Sequence, residues 1–163
     1  MRDDESMNRR DWILRAAGTI GGGLAMAMLL PRTSDAMAKP AVITVYKDPS
    51  CGCCKKWVEH LRANGFVPEV HDRSDMDALK DSLGVPAALR SCHTGVVGKY
   101  VIEGHVPAAD VKQLLAATPV KTMGIAVPGM PAGSPGMEMG GRVDRYDVIA
   151  FAPGGATRIF ARH

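Results

Sequence analysis

No stretch of the sequence is apolar for long enough to cross a bilayer, no segment repeats another, and neither sign of charge dominates. A membrane-spanning helix needs about 20 predominantly apolar residues. The best candidate, Ala16–Leu30, is shorter and contains four glycines. The lack of internal repeats excludes solenoid and propeller architectures. A formal charge of +3 is too small a basic surplus to indicate a nucleic-acid partner. Hydrophobic residues at 46% and charged residues at 23% are ordinary for a globular chain of 163 residues, enough for one domain and additions to it. Cysteine is also scarce, but three of the four cysteines fall within Cys51–Cys54.

The first 38 residues read as an export signal. Arg9-Arg10 precede the weakly apolar stretch, and Pro31 and Ala36-Met37-Ala38 supply a cleavage pattern. Asn8-Arg9-Arg10-Asp11-Trp12-Ile13-Leu14 resembles a twin-arginine signal, with an asparagine where such signals carry serine or threonine. Contact with a membrane is expected only through this segment. The remaining chain is expected to start at Lys39 in the periplasm, where disulfides persist.

The stretch from Asp48 to Trp57 organises the rest. Val42–Tyr46 before it is β-branched and aromatic and reads as a strand. The run Cys54–Asn64 places Trp57, Val58 and Leu61 on one face and reads as a helix ended by Gly65. The cysteines thus sit where a strand enters a helix N-terminus, whose free N–H groups and dipole favour thiolate, with Lys55 and Lys56 adding positive charge. Further along, Phe66–His71 reads as a strand. Ser74 is the expected N-cap of a helix over Asp75–Leu83 carrying Met76, Leu79 and Leu83 on one side. Ala87–Cys92 is the expected third strand, Gly95 and Gly98 mark a turn, and Tyr100–Glu103 is the fourth strand. Pro107 opens a helix over Ala108–Ala117.

This β-α-β-α-β-β-α order, with a C-x-x-C after the first strand and Val85-Pro86 before the third, resembles a thioredoxin-like α/β fold over residues 39–118. In that fold the corresponding proline is cis and lies against the cysteine motif, so Val85-Pro86 is expected to be cis and to bring Cys92 towards Cys51–Cys54. Residues 119–163 read as an extension packed on that core. A loop rich in Gly, Pro and Met over Gly129–Gly141 is followed by a hairpin of Tyr146–Phe151 and Thr157–Phe160 around Pro153-Gly154-Gly155. This extension is too small to bury a core of its own.

Two chemistries compete for the cysteines. As a redox pair, Cys51 would be the nucleophile and Cys54 the resolving thiol. The third thiol, Cys53, would then compete for the disulfide. A C-x-C-C cluster of soft sulfurs suits Cu(I) instead, and zinc bound by four thiolates is a third option. Cys92 taken alone reads as a small buried hydrophobe, but the expected approach of its strand makes it a fourth ligand. His93, its neighbour in an expected strand, should point to the opposite face and is a weaker candidate. His60 and His71 read as surface or structural residues. His105, close to a helix start, is the best of the remaining histidines for the site. Met76 and Met123 read as packing residues. Met130, Met137 and Met139 lie in the loop and offer soft thioethers.

Tyr46–Trp57, Gly84-Val85-Pro86, Ser91–Thr94, Glu103–Pro107 and Val127–Glu138 together resemble the CopG-type family of periplasmic, thioredoxin-like proteins associated with copper resistance. The likeness spans nearly all of the chain after residue 38. It implies copper bound through Cys51, Cys53, Cys54 and Cys92. It also admits a multinuclear copper–thiolate centre with more than one Cu(I) per chain, His93, His105, Met130 and Met137 as further ligands, and a redox role in copper handling. Copper ions and other periplasmic copper-handling proteins are the implied partners. The rivals are a thiol–disulfide oxidoreductase using Cys51 and Cys54, and a zinc-stabilised structural module.

Overall fold

The computed structural model describes residues 39–138 and 140–163. The expected export signal and Met139 lie outside these. Among the described residues there are three α-helices and one seven-stranded sheet. In chain order the elements are β1 (Val42–Lys47), α1 (Gly52–Ala63), β2 (Val67–Asp72), α2 (Met76–Ser82), β3 (His93–Val97), β4 (Tyr100–Glu103), α3 (Ala108–Ala117), β5 (Gly124–Ala126), β6 (Asp147–Phe151) and β7 (Thr157–Arg162). The expected order β-α-β-α-β-β-α is present. The sheet runs β2-β1-β3-β4-β5-β6-β7. Strand β1 is parallel to β2 and antiparallel to β3, β4 is parallel to β5, and the other pairs are antiparallel. No described helix is long and apolar enough to cross a membrane.

Side-chain alternation along the central strands sorts the core onto two faces. Ile102, Ile125 and Ala150 face one way, with Trp57, Val58 and Leu61 of α1 and Val111 and Leu114 of α3. Their neighbours Val101, Ala126 and Phe151 face the other way, beside Val85, Leu89 and Met123. Helix α1 covers its face because Cys54, Trp57, Val58 and Leu61 recur at helical spacing and are buried. Each large apolar side chain so buried contributes about 1.5–3 kcal/mol.

Three local expectations are corrected. Ala87–Cys92 is not a strand. Ala87–Leu89 forms a short 3-10 turn, and the third strand starts at His93. The Arg90 side chain pins the turn, reaching back to the Val85 carbonyl and to the Asp81 carboxylate. Pairing with β1 begins only at His93, opposite Lys47. Second, no described peptide bond is cis, so Val85-Pro86 is trans. Trans is the default for X–Pro, and here the proline enters a turn rather than a strand. Third, helix α2 starts after Asp75, not after Ser74. The Asp75 carboxylate is held instead by Arg73 Nε at 2.7 Å.

Gly98, with φ of 58°, makes the β3–β4 turn. Gly95, expected in the same turn, lies inside β3. A Cβ there would stand 2.9 Å from Ile43 Cδ1 and 3.2 Å from the Trp57 ring. Glycine at this position lets the strand lie against α1 without displacing either side chain. Residues 119–163 add β5, β6 and β7 to the same sheet, with the expected hairpin joined through Pro153–Gly155.

Candidate metal centre

The site forms at the end of β1, where the chain turns into α1. The Asp48 carboxylate accepts the Ser50 N–H at 2.8 Å and the Ser50 hydroxyl. The Cys51 N–H closes the turn on the Asp48 carbonyl at 3.1 Å. Cys51 is then the N-cap, and Gly52, Cys53 and Cys54 form the first turn of the helix. The helix thus begins two residues earlier than the sequence suggests and carries Cys53 and Cys54 within it.

Cys51 and Cys54 are joined as a disulfide, with Cα atoms 5.4 Å apart, while Cys53 and Cys92 are free. The Cys53 sulfur is 3.5 Å from that of Cys51 and 3.8 Å from that of Cys92. All four sulfurs lie within 4.8 Å of one another. The approach of Cys92 needs no cis proline. It follows from β3 pairing with β1, which places the residue before His93 beside the turn that begins after Lys47.

Two histidines complete the cluster. The Cys92 sulfur is 3.3 Å from His93 Nδ1 and 3.1 Å from His105 Nε2, and these three donors also lie within 4.8 Å of one another. The expectation that His93 faces away from Cys92 fails because Cys92 lies in a bend outside the strand, where alternation does not apply. His93 is fully buried, packed on Trp57 with ring centroids 4.3 Å apart. Its Nε2 is, among the described residues, the buried side-chain polar atom left without a hydrogen-bond partner. His105 is held from behind. Its Nδ1 is 2.8 Å from the Pro135 carbonyl, which can only accept. Nδ1 therefore carries the proton, and Nε2 presents its lone pair to Cys92, as in metal-ligating histidines fixed by an outer hydrogen bond.

The electrostatics favour neutral groups. Burial pushes the Cys92 thiol up to about 12, with Cys53 beside it adding to the rise. Burial also pushes His93 well below the usual histidine value and lowers His105. Cys92 lies away from the helix N-terminus where thiolate is expected, and its burial favours the thiol until a cation displaces the proton. A set of four sulfurs and two neutral imidazoles fits a soft or borderline metal ion.

The Gly-Pro-Met loop lies across this centre. Ser134, Pro135 and Gly136 are buried. A Cβ on Gly136 would meet the Cys53 carbonyl and the Trp57 N–H, each at 2.9 Å. The Ser91 hydroxyl donates to the Gly129 carbonyl. The thioethers differ: Met130 is 53% exposed, and Met137 is half-buried. Lys55 and Lys56 are exposed on α1. His60 is structural, its Nε2 accepting the Ala108 N–H at 3.1 Å, and His71 is exposed on the edge strand β2.

Sequence reasoning overlooked a buried polar network behind the cluster. On the α2 face of the sheet, Lys80 pairs with Glu103, and the Thr94 hydroxyl donates to Glu103 at 2.7 Å. No sequence signal marks it, because Lys80, the one buried residue of α2, is seen to be buried only once the chain is folded.

A mixed α/β domain with a cysteine–histidine cluster at the start of its first helix defines a candidate metal-binding protein. Two solved structures are similar to it. They are entitled copper resistance protein CopG, forms 1 and 2, and are 49% and 48% identical to this chain. Each match covers 76% of this chain and 98% of the other, with TM-scores of 0.72 and 0.73. The chain belongs to the CopG family. A family model described as a protein of unknown function, DUF411, matches residues 89–137, which include Cys92, His93, His105 and the loop to Met137. The curated proteins contain no match.

Proposed function

We propose that this protein binds copper in copper resistance or homeostasis, holding Cu(I) through Cys51, Cys53, Cys54 and Cys92. The single observation that carries the reading is the gathering of four sulfurs, one of them from 38 residues beyond the others' helix turn, within 4.8 Å of one another. Thiolate sulfur selects Cu(I), and bridging thiolates can hold several such ions. His105 and His93 stand beside Cys92 as nitrogen ligands, and Met130 and Met137 supply weaker thioethers from the loop. The copper resistance named for the two related structures supports the choice of metal.

Loading the full sulfur set requires the Cys51–Cys54 disulfide to open. Two electrons and two protons convert it to two thiols, and a donor dithiol becomes a disulfide in exchange. Copper loading and thiol redox state are coupled in this reading, which accommodates a redox role in copper handling. The proposed organisation is an export signal over 1–38, delivering the chain to the periplasm by the twin-arginine route, a thioredoxin-like copper-binding domain over 39–118, and the extension 119–163 covering the site.

The test is anaerobic titration of the reduced full-length chain with Cu(I), read by metal analysis and thiolate-to-copper absorption. More than one tightly held Cu(I) per chain is expected. One zinc and no copper would favour a structural module. A second reading, thiol–disulfide oxidoreductase, draws on the disulfide at a helix N-terminus. Failure to bind any metal, with a measurable dithiol potential for Cys51 and Cys54, would favour it.

A further inference from the structure

The buried ion pair of Lys80 and Glu103 lies on the opposite face of the sheet from α1 and takes no part in the sulfur cluster. Lys80 is 2% exposed and Glu103 fully buried. Taking two charges out of water is costly. An apolar pair of similar volume often serves stability as well or better, so such a pair is weak evidence for stability alone. Its contacts indicate what else it does. The Glu103 carboxylate accepts Lys80 Nζ and the Ser91 N–H on Oε1, the latter at 2.7 Å, and the Thr94 hydroxyl on Oε2 at 2.7 Å. Lys80 Nζ also donates to Thr94 Oγ1 at 3.0 Å. One carboxylate therefore grips the residue before Cys92 and the residue after His93.

The same carboxylate also sits two residues before His105. The intervening Gly104 N–H bonds the His93 carbonyl at 3.0 Å. Cys92 itself lies in a bend outside the strand. Glu103 anchors the residue before it through the Ser91 N–H, and Lys80 from α2 fixes the carboxylate in turn.

We propose that Glu103, held by Lys80 and Thr94, is the positioning residue for the Cys92–His93–His105 donor set. This rests on the copper-binding reading for its purpose, but its geometry can be tested without copper. Neither side chain touches the donors, and the pair acts through the backbone of Ser91 and the hydroxyl of Thr94. Outer-shell groups of this kind orient metal ligands, and losing them costs about 10–100-fold in affinity.

The test replaces the pair with apolar residues of similar volume, Lys80→Met with Glu103→Leu, in the full-length chain. Three quantities are compared with wild type: the thermal transition, the rate at which N-ethylmaleimide labels Cys92 relative to Cys53 with the Cys51–Cys54 disulfide intact, and the Cu(I) affinity after reduction. The expected result is a transition at or above the wild-type temperature, labelling of Cys92 several-fold faster relative to Cys53, and affinity lower by about tenfold or more. A folded double variant with wild-type labelling and wild-type affinity overturns the proposal, because the pair would then be packing only. Should the double variant not fold, the isosteric Thr94→Val decides. Faster Cys92 labelling supports the positioning role, and the wild-type rate overturns it. Should wild type bind no copper, the copper reading fails by itself, and the labelling comparison still decides the role of Glu103.

Discussion

The sulfur of Cys92 stands 3.8 Å from that of Cys53, 39 positions earlier in the chain. Neither is in the disulfide, and Cys53 is also 3.5 Å from the Cys51 sulfur. Cys53 is thus the sulfur between the redox-capable pair and the histidine-flanked thiol. Replacing it with serine should leave the Cys51–Cys54 disulfide able to open and close, since neither sulfur of that bond is touched. Copper binding should suffer, because a soft ligand is replaced by a poor one. The loss of affinity should exceed the about 10–100-fold typical of a missing outer-shell partner. The check is copper stoichiometry beside disulfide reduction in the same variant. Unchanged copper content would count against a shared cluster.

Gly95 links the sheet to the site through packing alone. A methyl group there meets the tip of Ile43 and the Trp57 ring, and Trp57 supports His93. Gly95→Ala should destabilise the fold by about 1–3 kcal/mol, the usual cost of overpacking. Urea unfolding measures this. The same variant should shift the thiolate-to-copper absorption, because the Trp57 ring that the methyl meets packs on the site histidine His93. A variant as stable as wild type would show that the Ile43 side chain moves aside freely.

Acid should loosen the loop at a defined anchor. Asp144 accepts the Ala132 N–H at 3.2 Å and the Arg142 guanidinium at 2.9 Å. Its pKa is lowered, first by the Arg142 bond and then by the Ala132 bond. A carboxyl lowered in the folded chain binds protons less readily there than in the unfolded chain. Its contribution is therefore complete above the usual carboxylate value near 3.8 and is lost as pH falls through the lower folded value. Because Asp144 is only partly buried, the effect is local. Hydrogen exchange at the Ala132 amide should accelerate, beyond its intrinsic pH dependence, in that acid window. Asp144→Asn should remove this pH dependence. An Ala132 amide indifferent to both changes would show that the anchor contributes nothing.

The alternating core strands, the amphipathic α1 and the terminal hairpin were legible because each depends on local periodicity. Cys92 was matched to the cysteine turn through an expected cis proline, whereas the contact arises from β3 pairing with β1. A trans Val85-Pro86 suffices, and the strand starts at His93 rather than at Ala87. Alternation misled at His93 because it assumed that Cys92 lay in the strand. The Lys80–Glu103 pair was not legible. A lysine amid Asp77, Asp81 and Ser82 looks like a solvated helix residue, and only the position of β4 behind it shows the carboxylate that makes its burial tolerable.

The methionines of the loop should serve the site rather than pack beneath it. The backbone of the loop is anchored on the cluster, with Pro135 on His105, Gly136 against Cys53 and Gly129 on Ser91. Met130 is nevertheless 53% exposed. A long apolar side chain left in solvent on a well-anchored loop gains little from burial, and oxidation would make it polar. A neutral thioether binds Cu(I) more weakly than a thiolate, which suits uptake and transfer better than storage. Replacing Met130, Met137 and Met139 with leucine keeps bulk and removes sulfur, and should change stability by less than about 1.5 kcal/mol. Copper loading should slow while the final stoichiometry, set by the four cysteines, stays the same. Stopped-flow mixing of the reduced chain with a Cu(I) donor complex measures the rate, and metal analysis the endpoint. If loading rate and affinity are both unchanged in the triple variant, the thioethers do not contact copper, and the loop acts on the site only through its backbone and Pro135.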